Sequence, residues 1–177
     1  MMTARLMIPE QRYVASYHDF CRELRATGIR YFTSHDPNAY DEWKDTIIER
    51  YEKDRTGIDL PGGYVPSTAL WLIDNDEVVG ACSIRHHLTD SLRQYGGHIG
   101  YGIKPSKWRM GYGAHQLSLA LIEAKKIGID RALVTCDDTN VGSARVIEKN
   151  GGILEDVAET VGDGISRLLR RYWIDIS

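Results

Sequence analysis

The chain has 177 residues, of which 42% are hydrophobic and 27% are charged. This length suffices to bury a core without disulfides or a metal, and we expect one domain over residues 1–177. No run approaches the roughly 18 to 20 apolar residues that a membrane helix needs. A net charge of -3 gives no overall attraction for nucleic acid. Composition therefore favours an enzyme or binding domain for a small molecule or a protein.

The cysteines are odd in number and lie far apart, at Cys21, Cys82 and Cys136. No Cys-x-x-Cys pair is present, so the sequence predicts reduced thiols and no metal site. The first nine residues hold one basic residue and no apolar segment that precedes a cleavage site. They do not resemble a secretory signal, and we expect a cytoplasmic protein.

The first third of the chain is predicted to be helical and charged. A short strand at 6–8 precedes a helix whose apolar residues recur from Tyr13 to Leu24, and a second amphipathic helix covers about 43–51. Two prolines and two glycines in 59–66 then predict a connecting loop.

From residue 69 the pattern changes to short apolar runs, which predict strands. The predicted elements are strands at 69–73, 78–84 and 98–103, a helix about 117–127, a strand at 132–136, a helix at 141–150, and strands at 153–161 and 166–176. The order β-α-α-β-β-β-α-β-α-β-β predicts an α/β (α+β) fold, in which helices flank a mixed, mostly antiparallel sheet.

Two glycines lie where a strand gives way to the helix near Leu117. Gly111 and Gly113 predict a helix start with unpaired backbone N–H groups, a place where a pyrophosphate can bind. The alternative is an ordinary strand-to-helix turn. The third glycine of a dinucleotide fingerprint is absent here, and no Gly-x-x-x-x-Gly-Lys-Ser/Thr loop occurs in the chain.

This turn resembles the signature of the GNAT acetyltransferase superfamily, Gln/Arg-x-x-Gly-x-Gly/Ala, with Trp108 at the first position and Arg109 beside it. Residues 97–106 resemble the family's central strand, and 140–152 resemble its Asn-x-x-Ser helix and the following turn. The likeness covers about 69–176. The segments 64–68 and 171–174 are closer still to uncharacterised predicted bacterial acetyltransferases.

The resemblance implies a GNAT-like fold in which acetyl-CoA lies where the central strand splays away from the strand at 132–136. It implies no metal. The residues that it assigns to the cofactor are Ile103, Arg109, Met110, Gly111, Tyr112, Gly113, Ala114, Asn140 and Ser143. Gly100 and Gly102 in the central strand indicate either a close approach of the pantetheine arm or packing against a helix. Asn140 has helix capping as its alternative role.

The catalytic residues that we predict are His98 and Tyr101. His98 occupies the position where many relatives have a glutamate, and imidazole can relay protons near neutral pH, although a structural histidine is the alternative. His86 and His87 are further candidates. Many relatives place a tyrosine four residues after the Asn-x-x-Ser serine, a position that Ile147 occupies here.

Without that tyrosine, Tyr101 or Tyr172 is the candidate proton donor, unless the thiolate leaves unassisted. We expect backbone N–H groups of residues 99–101 to stabilise the oxyanion.

We therefore expect an N-acetyltransferase that moves an acetyl group from acetyl-CoA to a primary amine of a small molecule or peptide, without a nucleic acid or membrane partner. A catalytically silent acyl-CoA sensor is the alternative, and a structural interaction domain is a third. The acidic residues Asp36, Asp41, Glu42 and Asp45 either attract a cationic amine or form a solvated helix face. A homodimer is possible because dimers are common among relatives.

Overall fold

The computed structural model of the chain describes residues 3–28, 35–162 and 165–177. Its helices are α1 Val14–Ala26, α2 Tyr40–Trp43, α3 Ile47–Thr56, α4 Asp90–Gln94, α5 Tyr112–Lys126 and α6 Val141–Lys149. Its strands are β1 Arg5–Met7, β2 Ser67–Asp74, β3 Glu77–Arg85, β4 Ile99–Ile103, β5 Arg131–Asp137, β6 Ile153–Gly162 and β7 Ile165–Asp175. Helices flank antiparallel sheets, which confirms the predicted fold class.

The strands form two sheets that lie side by side. The first has the order β1-β2-β3-β4 and the second the order β5-β7-β6, and every hydrogen-bonded strand pair in them is antiparallel. The β2–β3 hairpin reverses at Asn75 and Asp76, both with positive φ, as the Asp-Asn-Asp sequence predicts. β4 and β5 are the facing edges of the two sheets.

Side chains of the first sheet alternate between two helical layers. One face packs on α1 and α3, where Trp71 stacks on Tyr17 with ring centroids 4.5 Å apart. The opposite face packs on α5, where Leu70 and Ile84 join Leu117 in a second buried cluster. The first sheet therefore has a core on both faces, and its free edge at β4 is available for a site.

Two details of the helices differ from the sequence prediction. The second amphipathic stretch divides into α2 and α3, because residues 44–46 form a turn in which Thr46 N–H donates to the carbonyl of Trp43. Helix α4 was not predicted. It has five residues and no apolar periodicity, and it begins where the Thr89 side chain accepts a hydrogen bond from Leu92 N–H. Helix α5 begins at Tyr112, beside Gly111 and Gly113, where the sequence predicts a helix start.

No helix within the described residues is long and apolar enough to cross a membrane. Across residues 3–28, 35–162 and 165–177 no group of three histidine, cysteine or acidic side chains is placed to hold a metal ion.

Candidate active site

The two sheets meet at one point, between His98 and Leu133. His98 N–H donates to the Leu133 carbonyl over 2.7 Å, and Leu133 N–H donates to Nδ1 of the His98 ring over 2.9 Å. The imidazole thus takes the place of a backbone carbonyl in this pairing. The preceding Gly97 has a φ of +63°, and a Cβ there would lie 2.4 Å from the Leu133 carbonyl oxygen. Only a glycine lets the strands come this close.

We call the contact between His98 and Leu133 the apex. Beyond the apex, β4 and β5 separate. Even-numbered groups of the β4 segment bond to β3: Arg85 N–H donates to the His98 carbonyl, and Lys104 N–H donates to the Val79 carbonyl. Since backbone groups alternate sides along a strand, those of Ile99, Tyr101 and Ile103 face away from β3. They face the gap left by β5. β4 pairs with β3 without a register shift, so Gly100 and Gly102 mark no bulge.

The opposite wall of the gap has the same pattern. Asp138 N–H donates to the Leu168 carbonyl and Ile176 N–H to the Asp130 carbonyl, which fixes even-numbered residues of the β5 segment on the β7 side. The backbone groups of Thr135 and Asp137 therefore face β4. We call the space between β4 and β5 the cleft. Each side of the cleft is a strand edge whose outward backbone groups have no partner strand within the two described sheets.

The cleft opens into a cavity of about 1520 Å³. One part of this cavity is the cleft itself. The other part, which we call the chamber, lies on the α1 and α3 face of the first sheet. Alternate residues of β2 and β3 form its floor: Ser67, Ala69, Trp71, Ala81, Ser83 and Arg85. Four of these six side chains are alanine or serine, and Gly100 lies opposite Ser83 on β4. The small side chains leave the space that larger residues would fill.

The N-terminus of α5 has the features that the sequence predicts for an anion site. Gly111 is its N-cap with a φ of +89°, and no side chain caps the helix. The N–H groups of the first turn, Tyr112 to Ala114, therefore have no helical partner. Arg109 adds a second left-handed residue, with a φ of +61°. Backbone donors, the helix dipole and a guanidinium are gathered here, with the exposed Met110 between them.

Side chains of the same turn serve packing. The Tyr112 hydroxyl donates to Asp74 over 2.6 Å, which ties the start of α5 to the end of β2. A Cβ on Gly113 would lie 3.1 Å from Cγ2 of Val146 on α6. Gly113 therefore allows α5 and α6 to pack closely, and Tyr112 can reach a ligand at the turn only through its backbone.

Tyr101 and Ser143 form a hydroxyl pair in the cavity wall. Their oxygens lie 2.8 Å apart, and the Tyr101 hydroxyl also lies 3.4 Å from the Ser143 carbonyl oxygen. Burial is the main cause that raises the pKa of Tyr101 above its ordinary value, so the phenol is protonated at neutral pH. Ser143 N–H donates to Oδ1 of Asn140 over 3.0 Å, so Asn140 caps α6 as the alternative role required.

The imidazole of His98 is poorly suited to accept a proton. Burial lowers its pKa to about 4, and Arg93 and Arg85 act in the same direction. Its Nδ1 lone pair is already used by Leu133 N–H. This geometry favours the structural alternative for His98: the ring is neutral and joins the two sheets.

The remaining candidates lie at varied distances from the cavity. The Ile103 side chain is buried in a core cluster, and its carbonyl accepts a hydrogen bond of 2.7 Å from the Trp108 indole. Tyr172 is 1% exposed and donates to Glu148, outside the cavity lining. His86 pairs with Thr68 and is likewise not in the lining. Ile147 is fully buried in the core, so this position does not face the cavity.

Arg85, Thr135 and Cys136 are among the residues of the cavity wall that sequence reasoning did not single out for the site. Burial raises the pKa of the Cys136 thiol to about 11, so it is not a thiolate at neutral pH. The sequence does contain a signal for Arg85, because a charged arginine stands at the end of a largely apolar strand. Of the acidic run, Asp36 pairs with Arg25 and Asp41 with Lys44, and none of its four members lines the cavity.

A family model described as "Acetyltransferase (GNAT) domain" matches residues 10–153 of the chain. A search of curated proteins found no significant match to the sequence.

Solved structures resemble the whole fold. One, from Salmonella typhimurium, is an acetyl transferase described as modifying the N-terminal serine of 50S ribosomal subunit protein L7/L12. It has a TM-score of 0.73 at 16% identity and covers 100% of this chain and 97% of its own. Mycobacterium smegmatis RimJ in complex with CoA-disulfide has a TM-score of 0.74 at 18% identity, with 97% and 81% covered.

A third structure, the microcin C7 self immunity acetyltransferase MccE in complex with acetyl-CoA and AMP, has a TM-score of 0.69 at 14% identity, with 97% and 92% covered. Similarity at this level of identity establishes the fold of the chain.

Proposed function

Because the chain belongs to the acetyltransferase (GNAT) domain family, we propose that it transfers an acetyl group from acetyl-CoA to a primary amine. The observation that carries the proposal is the cleft between β4 and β5, which continues into the chamber. The uncapped start of α5 lies at the end of β4, where a Cβ on Gly113 would be 3.8 Å from Ile103, and residues 109–114 themselves are outside the cavity lining. A donor molecule and an acceptor can thus approach one point of β4 from two directions.

Acetyl-CoA fits the cleft by its chemistry. Its pantetheine arm contains two amides, and the facing backbone groups of Tyr101 and Thr135 lack a strand partner within the sheets described above. The arm can pair with them as an inserted strand does. Its pyrophosphate then lies at the first turn of α5, where Arg109 and the backbone of Gly111 to Ala114 supply positive charge. Structures of fold relatives with CoA or acetyl-CoA support this assignment.

Amide formation from a thioester needs a stabilised oxyanion and a proton for the leaving thiolate. We assign the oxyanion to a backbone N–H of β4 at Ile99 or Tyr101, because fixed dipoles need no reorganisation during the reaction. We assign the proton to the Tyr101–Ser143 hydroxyl pair, since both groups line the cavity and share a hydrogen bond. The pair gives a proton to the thiolate as the C–S bond breaks and regains one from the amine nitrogen as the amide forms, so that a neutral amine and the thioester yield the amide and free CoA thiol. Holding both reactants in place supplies a further part of the rate.

His98 has a different role in this scheme. We propose that it is a positioning residue, which holds β4 and β5 together at the apex so that the cleft has a fixed width. Its low pKa and its bond from Leu133 N–H support this role, because a neutral ring is required to accept that bond.

The test combines binding with turnover. Isothermal titration with acetyl-CoA is expected to show one site per chain, and thiol release is expected to rise when a panel of primary amines is added. Binding without turnover on any amine supports the sensor alternative that the absence of the usual tyrosine permits. An absence of acetyl-CoA binding overturns both assignments.

A further inference from the structure

Arg85 is a cation of the chamber that has no carboxylate partner among the residues that the structure describes. Arg85 is the last residue of β3, and its side chain lines the cavity. Its Nη1 donates to the carbonyls of Gly96 and Gly97, over 3.1 Å and 3.0 Å. These two bonds fix the guanidinium beside the apex. They leave Nε and Nη2, the edge that commonly binds a carboxylate or phosphate with two parallel hydrogen bonds.

The groups that act electrostatically on Arg85 are phenols, those of Tyr95 and Tyr64. Within the described residues no carboxylate forms an ion pair with it. Burial lowers the pKa of Arg85, which reflects the cost of holding this charge away from water. A guanidinium stays charged at neutral pH, so an anion that enters the chamber recovers part of that cost.

The other charges of the chamber are compensated. Arg25 pairs with Asp36 at 3.0 Å, and Arg50 pairs with Asp54 at 2.5 Å. Hydrogen bonds from Thr139 lower the pKa of Asp137, and Arg167 lies near enough to lower it further. In the described lining, arginines therefore exceed carboxylates, four to two. This arrangement disfavours a polycationic acceptor and directs an anionic group to Arg85.

We propose that Arg85 binds an anionic group, a carboxylate or a phosphate, of the amine that accepts the acetyl group. The proposal rests on the acetyltransferase function proposed above and narrows its substrate class. The acceptor is then an amine with an acidic group at a fixed distance, such as an amino acid or an acidic peptide, and polyamines are poor substrates. The hydrogen bonds to Gly96 and Gly97 hold the guanidinium in place as a reference point for that distance.

The experiment measures transfer to matched pairs of amines. Glycine, β-alanine, 4-aminobutyrate and 6-aminohexanoate are compared with their carboxamides, and 2-aminoethyl phosphate is compared with ethanolamine. We expect an acid to exceed its amide in kcat/KM by roughly 10- to 100-fold at one chain length, since hydrogen bonds to a charged group contribute about 1.5–3 kcal/mol. The two series separate a carboxylate acceptor from a phosphate acceptor.

Three variants locate the effect. Arg85→Gln is expected to bring the acid-to-amide ratio close to one while transfer to the amide is retained, and Arg85→Lys is expected to keep part of the ratio. Arg93→Gln removes an equal charge from an exposed neighbour outside the lining and is expected to leave the ratio unchanged. Equal kcat/KM for acids and amides in the wild type overturns the inference and leaves the acetyltransferase intact.

A binding measurement separates the two proposals. Isothermal titration of the N-acetyl forms of the four acids and of their amides into the CoA-saturated protein needs no turnover, and the pair that is compared has the chain length preferred in the transfer assay. We expect the acid to bind more tightly than the amide, and this preference is expected to disappear in Arg85→Gln. Failure to bind acetyl-CoA or CoA contradicts the proposed function. Equal binding of the acid and the amide by the CoA-bound protein contradicts the role of Arg85 alone.

Discussion

The Nδ1 atom of His98 accepts a hydrogen bond from Leu133 N–H over 2.9 Å, and this side chain joins two sheets whose strands otherwise diverge. The bond requires a neutral ring. His98 is thus a candidate for two roles, as a base and as the residue that holds β4 and β5 together. A base must take up a proton, whereas the bond from Leu133 N–H requires that Nδ1 stay unprotonated. This conflict defines the first experiment.

His98→Asn is expected to preserve the apex, because the amide oxygen can accept the bond from Leu133 N–H, whereas His98→Ala loses it. The native pKa of His98 is about 4 against an ordinary 6.5, so the unfolded chain binds more protons between these values. Its contribution to stability is complete above pH 6.5 and is lost as the pH falls through 4. Urea unfolding measures the free energy of unfolding at pH 7 and at pH 5. We expect it to fall between these pH values by about 2 kcal/mol more in the wild type than in His98→Asn.

The same pair tests catalysis. If His98 positions the strands, His98→Asn keeps most of kcat at pH 7.5 and His98→Ala weakens acetyl-CoA binding. A loss of kcat in His98→Asn with unchanged acetyl-CoA affinity would contradict the positioning role and indicate that the imidazole acts as a base.

Gly97→Ala is expected to open the apex. The residue has a φ of +63°, and the added Cβ would meet the Leu133 carbonyl oxygen at 2.4 Å. Gly128→Ala is the matched control, since Gly128 has a φ of +89° and nothing within 4 Å. The left-handed conformation is expected to lower the free energy of unfolding of both variants by about 1–2 kcal/mol. The clash is expected to lower that of Gly97→Ala by about 1–3 kcal/mol more. Equal free energies of unfolding and equal acetyl-CoA affinities in the two variants would show that the apex tolerates separation.

Gly111→Glu and Gly111→Ala share the strain of a φ of +89° at the start of α5 and differ in one negative charge. We expect acetyl-CoA to bind the glutamate variant on the order of tenfold more weakly than the alanine variant at low salt. The ratio should shrink as salt screens the repulsion. Titration at two ionic strengths measures it, and a ratio near one at low salt places the pyrophosphate elsewhere.

Tyr101→Phe and Ser143→Ala remove the two hydroxyls that lie 2.8 Å apart. If they act together as the proton donor, each variant lowers kcat by roughly 10- to 100-fold with a small change in acetyl-CoA affinity, and the double variant loses little more. Pre-steady-state thiol release separates chemistry from product release. Additive losses would mean that the hydroxyls act independently.

Ile147→Tyr places a tyrosine where many relatives have one. The Ile147 side chain is fully buried, and a Cβ on Gly152 would already approach it to 2.5 Å. The larger ring is expected to cost about 1–3 kcal/mol of unfolding free energy without raising kcat. Arg145→Tyr, on the exposed side of the same helix, is the control. A gain of kcat in Ile147→Tyr would show that this position can reach the cleft.

Local sequence was sufficient for most of the elements and for the uncapped start of α5, where anion binding stays a prediction. The glycines at 111 and 113 and the apolar stripe of α5 lie within one segment, and their consequences follow from helix geometry alone. The short α4 was not predicted because it depends on one capping threonine, which has no periodic signal. The family likeness predicted that the strands at 98–103 and 132–136 separate, which the structure shows, and that acetyl-CoA lies between them, which stays a prediction.

The role of His98 depends on a residue 35 positions away. In the sequence it is a histidine at the start of a strand, which is compatible with a base, a ligand or a structural residue. The approach of Leu133 N–H, and the burial that lowers the pKa, exist only once the two sheets are assembled. The same is true of Arg85, because its lack of a carboxylate partner within the described residues depends on every element that lines the chamber.

The sequence by itself determined the α/β element order, the helix start that offers unpaired N–H groups, and the family, because each depends on short-range patterns of apolar, glycine and polar residues. Only the tertiary structure decided that the β4 segment meets β5 through two hydrogen bonds between His98 and Leu133, that Tyr101 and Ser143 share a hydrogen bond, and that Arg85 has no carboxylate partner among the described residues. These features join distant segments, and their energies come from distances and burial that no local pattern specifies.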